Sequence, residues 1–146
     1  ANPDNNTHQV FHARGGAAKY RAPDADILAV PGGTWEFYGG TAIPQAGSDK
    51  ADLVAVIPNV TLQFCQKINA LNGITSQPTD DGGSAGNCVD AGSAGRFGSG
   101  SPTPVTYASS PNTMVTGSFS KLPAMQGCVQ CTLGGGYHFY HVLLAR

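Results

Sequence analysis

Four cysteines carry most of the reactive potential in this 146-residue sequence: Cys65, Cys88, Cys128 and Cys131. Cys128-Val129-Gln130-Cys131 has a spacing shared by redox pairs, half zinc sites and haem-attachment motifs. Haem attachment requires a histidine directly after the second cysteine, and Thr132 stands there instead. A redox pair needs its thiols at a helix start, where the dipole lowers the thiol pKa. This pair runs into Gly134-Gly135-Gly136 and an aromatic run with strand character. Structural zinc takes two closely spaced ligand pairs, and Cys65 and Cys88 are too far apart to form the second. An even number of cysteines in a chain poor in charge fits two disulfides made in an oxidising compartment. Of the three possible connectivities, Cys65 to Cys128 with Cys88 to Cys131 is the expected one. It anchors a helix and a long loop beside one strand and closes long loops of the denatured chain. Sequence alone leaves the other two open.

The remaining chemistry-bearing residues group poorly. His8 and His12 have i, i+4 spacing, but Gly15-Gly16 argues against a lasting helix there. His138 and His141, three apart in a strand, face opposite ways. No serine lies in a Gly-x-Ser-x-Gly elbow between strand and helix; Gly98-Ser99-Gly100 sits in a low-complexity stretch. Asp24, Asp26 and Asp80-Asp81 read as solvated turn acids, and Asp80-Asp81-Gly82-Gly83 lacks the alternating ligands of a calcium loop. Asn5-Asn6-Thr7 and Asn59-Val60-Thr61 match the glycosylation pattern, which is short enough to recur by chance. Trp35, Phe37, Tyr38, Phe97, Tyr107 and Tyr137 offer an aromatic platform for sugars, with Trp35 and Tyr38 the ligand candidates, against the plainer reading of core packing. No metal, cofactor or catalytic residue is expected.

The elements that must position these residues are short and turn-rich. Gly at 20 and Pro at 10 make about a fifth of the chain, and only 12% of residues are charged, with a net charge of -1. That composition suits a loop-rich domain outside the cell, and the absence of a basic run argues against nucleic acid as a partner. The length fits a single domain over residues 1 to 146. No apolar run reaches the roughly 18 residues of a membrane span, and without a leader-like start the chain reads as mature or trimmed. Thr34-Trp35-Glu36-Phe37-Tyr38, bracketed by Gly32-Gly33 and Gly39-Gly40, predicts a strand between turns. Asn59 is the expected cap of a helix near residues 59 to 72, with Val60, Phe64, Ile68 and Leu71 as its apolar stripe, Cys65 at the stripe's edge and Asn72-Gly73 as its stop. Residues 77 to 111 read as a long Gly/Ser/Pro-rich loop, residues 113 to 119 as a strand, and residues 137 to 144 as the strongest strand. The fold expected is α+β: one helix packed on a mainly antiparallel β-sheet, loop-rich and disulfide-stapled.

Asp52-Leu53-Val54-Ala55-Val56-Ile57-Pro58-Asn59 leading into Phe64-Cys65, and Gly127-Cys128 preceding Tyr137-His138-Phe139-Tyr140-His141-Val142-Leu143-Leu144-Ala145-Arg146, resemble the globular headgroup of bacterial type IV pilins and type II secretion pseudopilins. Val10-Phe11-His12-Ala13-Arg14-Gly15-Gly16 and Thr34-Trp35-Glu36-Phe37 are similar to the same group. The apolar N-terminal helix of such subunits does not precede Ala1, so the resemblance implies that it is removed or supplied by a separate short helical subunit. It further implies a structural role in an extracellular filament, with copies of the chain as partners and no chemistry of its own. Val10, Phe11, Val60 and Phe64 are the assembly contacts it suggests. A secreted carbohydrate-binding or adhesive module is the alternative, and a hydrolase a weaker third.

Overall fold

The computed structural model describes residue 19, residues 21–75, 121–130 and 136–146, and the backbone of residues 107–113. Within them, one helix packs on a five-stranded sheet. A 3-10 turn at Ala25–Ile27 precedes β1 (Glu36–Ala42), β2 (Asp52–Val60), α1 (Leu62–Leu71), β3 (Tyr107–Thr113), β4 (Gln126–Gln130) and β5 (Tyr137–Leu144). The spatial order is β3-β1-β2-β5-β4. Neighbouring pairs are antiparallel except β3, which runs parallel to β1.

The centre of the sheet follows from its side chains. Leu53-Val54-Ala55-Val56-Ile57 and Phe139-Tyr140 supply β-branched and aromatic residues that fit a pleated, buried surface. Val54 and Val56 of β2 join Tyr38, Val129, Tyr140 and Val142 in a core on one face, closed by Ile43, Ile74 and Ala124. On the other face Ile57, Val60, Cys65, Cys128 and Phe139 form a second cluster beneath α1, flanked by Trp35, Phe64 and Ile68. His138 is fully buried while His141 is exposed, as strand alternation requires.

Several boundaries differ from the sequence reading. Gly39-Gly40 does not end the first strand; β1 runs through it, with a register shift between Tyr38 and Thr41 that is typical of a bulge. Pro58 lies inside central β2, where proline is tolerated only at an irregularity, and the register indeed shifts between Ile57 and Val60. Asn59 adopts φ 51° at that irregularity. It therefore lies inside β2 instead of capping the helix. The N-cap is Thr61, whose Oγ1 accepts the Phe64 N–H at 3.3 Å. Gly73 does stop the helix with φ 71°, a left-handed conformation that costs glycine little. Residues 107 to 111, read as the end of a long loop, belong to β3. Of the strand expected at 113 to 119, only residue 113 is described, and residues 77 to 106 lie outside the described residues.

The helix phase is also rotated from the expected stripe. Cys65 and Asn69 are its buried residues, Phe64 and Ile68 are half-buried beside them, and Leu71 is 81% exposed. The centre of the buried face is thus a thiol and an amide, groups that hydrophobic periodicity does not count. Among the described residues, no helix is long and apolar enough to cross a membrane.

Candidate functional site

Among the described residues, a densely fastened part is the seam between α1 and β4. Cys65 and Cys128 form a disulfide with 5.2 Å between their Cα atoms, and both residues are fully buried. One helical turn further on, at i+4 on the same face, the Asn69 side chain bonds both backbone groups of Cys128. Its Nδ2 donates to the Cys128 carbonyl at 3.0 Å, and its Oδ1 accepts the Cys128 N–H at 2.8 Å. A third link follows at the helix end, where Gln126 Nε2 donates to Asn72 Oδ1 at 3.1 Å. The seam therefore reproduces, with one covalent bond and one carboxamide, the fixing of a strand by a neighbour. Around it, Trp35 and Phe64 both meet Phe139 edge-on, at centroid distances of 6.2 and 5.8 Å.

A second fastening lies where the chain's last described strand ends. Asp52 is fully buried, and its carboxylate accepts the Ile43 N–H at 2.8 Å and the Arg146 N–H at 2.9 Å. The Ser48 hydroxyl donates to the Arg146 carbonyl at 2.7 Å. Gly47, at φ 89°, passes so close that a Cβ there would stand 2.5 Å from the Arg146 carbonyl oxygen. With both oxygens of Asp52 engaged by backbone, this carboxylate is a structural group. Between the two fastenings, the Tyr140 hydroxyl donates to the Ala124 carbonyl at 2.7 Å. Burial pushes the Tyr140 phenol far above the usual tyrosine range, because the phenolate would lose its hydration.

The structure distributes the candidate residues unevenly. Cys65 and Cys128 come together as expected, whereas Cys88 and Cys131 lie outside the described residues, as do Val10, Phe11, His8, His12, the sequon at Asn5, Asp80 and Asp81. Val60, suggested as an assembly contact, is fully buried under α1 and has no surface to offer a partner. Phe64 is half-buried against Phe139. Tyr38, suggested as a ligand aromatic, is only 2% exposed because β1 turns it into the core, where its hydroxyl donates to Glu36 Oε2 at 2.7 Å. Trp35 remains half-buried. Asp24 is exposed and pairs with Arg21 at 3.0 Å, and Asp26 is exposed beside it. In the second sequon, the Thr61 hydroxyl is the helix cap and the Asn59 N–H donates to His138 Nδ1 at 3.2 Å.

Sequence reasoning missed Asn69 and Asp52. The signal for Asn69 was its i+4 spacing from Cys65, which puts amide and thiol on one helix face. Asp52, an acid opening an apolar strand, had no local partner in the sequence to reveal it.

Described residues also line two surface depressions. One, of about 410 Å³, opens at the C-terminal end of α1 between Leu71, Ile74, Lys121, Met125 and His141. The other, of about 250 Å³, is lined by Val30, Pro31, Thr34, Glu36 and Asn59. No protein-family model, no curated protein and no solved structure matches this chain.

Proposed function

We propose that the chain is a structural subunit of an extracellular filament, type IV pilus-like or pseudopilus-like, that assembles through headgroup and helix contacts. The carrying observation is the α1–β4 seam, where a buried disulfide and the Asn69 bridge turn a small, weakly charged domain into a braced block. Such bracing suits a subunit that must keep its shape outside the cell, and a stable disulfide favours an oxidising compartment. Apolar side chains left in solvent, among them Leu71, Met125, Leu143 and Leu144, give material for contacts between copies. Copies of the chain are the principal partners, with a separate short helical subunit as a further one. The fastened carboxylate of Asp52 and the buried Tyr38 suit a head with no chemistry of its own. Electron microscopy of surface fibres from the source cells, with this chain traced in the density, tests the reading. Fibres made only of other proteins would overturn it.

A second reading, a secreted carbohydrate-binding or adhesive module, is favoured by one feature. The depression at Val30, Thr34, Glu36 and Asn59 adjoins half-buried Trp35 in sequence and mixes apolar surface with hydrogen-bonding groups. Glycan-array binding that falls on Trp35→Ala, with the fold retained, would support it.

A further inference from the structure

We propose that the Asn72-Gly73 step is a latent deamidation site, held back by the α1–β4 seam, whose conversion releases the end of α1. Asn72 is the one asparagine in the sequence that is followed by glycine. Glycine carries no Cβ to shield its backbone nitrogen, so that nitrogen can close onto the preceding asparagine side chain. Asn72 is half-buried, Gly73 is exposed, and the depression of about 410 Å³ opens beside them, which gives water access to the step.

In the reaction, hydroxide takes the Gly73 N–H proton and the nitrogen bonds to Asn72 Cγ. The Cγ–Nδ2 bond then breaks, and ammonia leaves with a proton drawn from water. Water opens the resulting cyclic imide. Hydrolysis at Cγ leaves aspartate at position 72, whereas hydrolysis at the main-chain carbonyl leaves isoaspartate and lengthens the backbone by a methylene. Water is the only co-reactant.

The fold holds each reacting group elsewhere. The Gly73 N–H donates to the Ala70 carbonyl at 3.0 Å. Asn72 Nδ2 donates to the Ile68 carbonyl at 2.8 Å, and its Oδ1 accepts Gln126 Nε2 at 3.1 Å. Ring closure requires these bonds to be lost together, so its rate follows the population of molecules in which the end of α1 has opened locally. Gln126 lies on β4 two residues before Cys128, which ties this latch to the disulfide and the Asn69 bridge. The product does not refit the latch. An acid oxygen in place of Nδ2 sets an acceptor against the Ile68 carbonyl, where a donor stood. A lengthened backbone draws the Gly73 and Ile74 N–H groups off the Ala70 and Asn69 carbonyls. Ile74 is buried in the core, so the loosening reaches the sheet.

The test incubates the 146-residue protein, with its native disulfides formed, at mildly alkaline pH. Peptide mapping follows position 72 by the amide-to-acid mass shift and by the separate elution of aspartate and isoaspartate peptides. Position 72 should convert at least about tenfold more slowly in the folded protein than in the same chain unfolded in urea with reductant, as the loss of several hydrogen bonds requires. Gln126→Ala should raise the folded rate roughly fivefold, the worth of one such bond, and leave the unfolded rate unchanged. After conversion, hydrogen exchange should rise at the Ile74 and Cys128 amides more than at the Arg146 amide. Equal folded and unfolded rates, no acceleration in Gln126→Ala, or unchanged exchange at Ile74 after conversion would each overturn the inference. Circular dichroism checks that the variant is folded, and the comparison of folded with unfolded protein needs no variant at all. These outcomes are independent of the filament reading, which microscopy of fibres tests by itself.

Discussion

At the α1–β4 seam, a covalent bond and a neutral carboxamide hold the helix on the sheet, whereas the clasp at Arg146 rests on a buried carboxylate that gathers two backbone N–H groups. Both join segments far apart in sequence, with separations of 63 positions for the two cysteines and 94 for Asp52 and Arg146. They differ in what undoes them. The seam is sensitive to reduction, because much of its contribution is the loop entropy that the disulfide removes from the unfolded chain. The clasp has no redox component and depends on keeping a charged acceptor in place. Bracing by unlike chemistries means that no single change of conditions releases both.

The largest expected effect breaks the seam. The double variant Cys65→Ala/Cys128→Ala should lose about 4 kcal/mol of stability, the chain-entropy value for a loop of this length. Denaturant unfolding should show the loss, and hydrogen exchange should show the Cys128-neighbouring amides of β4 deprotected more than the Ile43 and Arg146 amides. Equal deprotection at both places would mean that seam and clasp are one cooperative unit. Next comes the clasp itself: Asp52→Asn keeps the shape but turns one acceptor into a donor facing a backbone N–H, and should cost about 3 kcal/mol. Its lowered unfolding midpoint should persist in reductant, unlike the effect of the disulfide.

Asn69→Ala, which leaves the disulfide intact but strands the N–H and carbonyl of Cys128, should cost about 2 kcal/mol. A negligible loss by thermal unfolding would assign the seam's rigidity to the disulfide alone. The smallest effect sharpens the contrast through pH. Tyr140 stays protonated in the fold above its ordinary range, so its contribution is complete below about pH 10, where the unfolded phenol titrates, and is lost as pH rises beyond it. The slope contributed by this group should approach 1.4 kcal/mol per pH unit, by the linkage relation, to within about a few tenths. Tyr140→Phe should flatten that slope in alkaline unfolding curves, at a cost of about 1 kcal/mol at neutral pH for the bond to Ala124.

The elements most legible in the sequence were those whose local chemistry agreed with their final environment. The last strand, at Tyr137–Leu144, announced itself by its β-formers, and Gly73 marked the helix stop because few other residues adopt its φ. The α+β class followed from these and from the cysteines. Asn59 misled because asparagine favours both helix caps and left-handed backbone; the bulge at Pro58 used the second property. Gly39-Gly40 misled because glycine serves bulges as well as turns. At the candidate site, Cys65–Cys128 belonged to one of three connectivities that the sequence left open, and Asn69 and Asp52 bond backbone groups brought from as far as 59 and 94 residues away. Tertiary partners of that kind leave no trace in local pattern. Val60, read by periodicity as part of the helix stripe and offered by the resemblance as an assembly contact, instead closes β2 and is buried with Cys65 and Cys128, because the strand continues past Pro58.

The Asn69 bridge has one more consequence. Among the described residues β4 lies at the margin of the sheet, and an uncovered margin invites a stray chain to add a strand. By occupying the N–H and carbonyl of Cys128, the carboxamide covers the middle of that margin, and the disulfide holds it in place. Strand addition at Cys128 is thereby hindered along this side. Reduction would loosen that cover and favour disordered clumping.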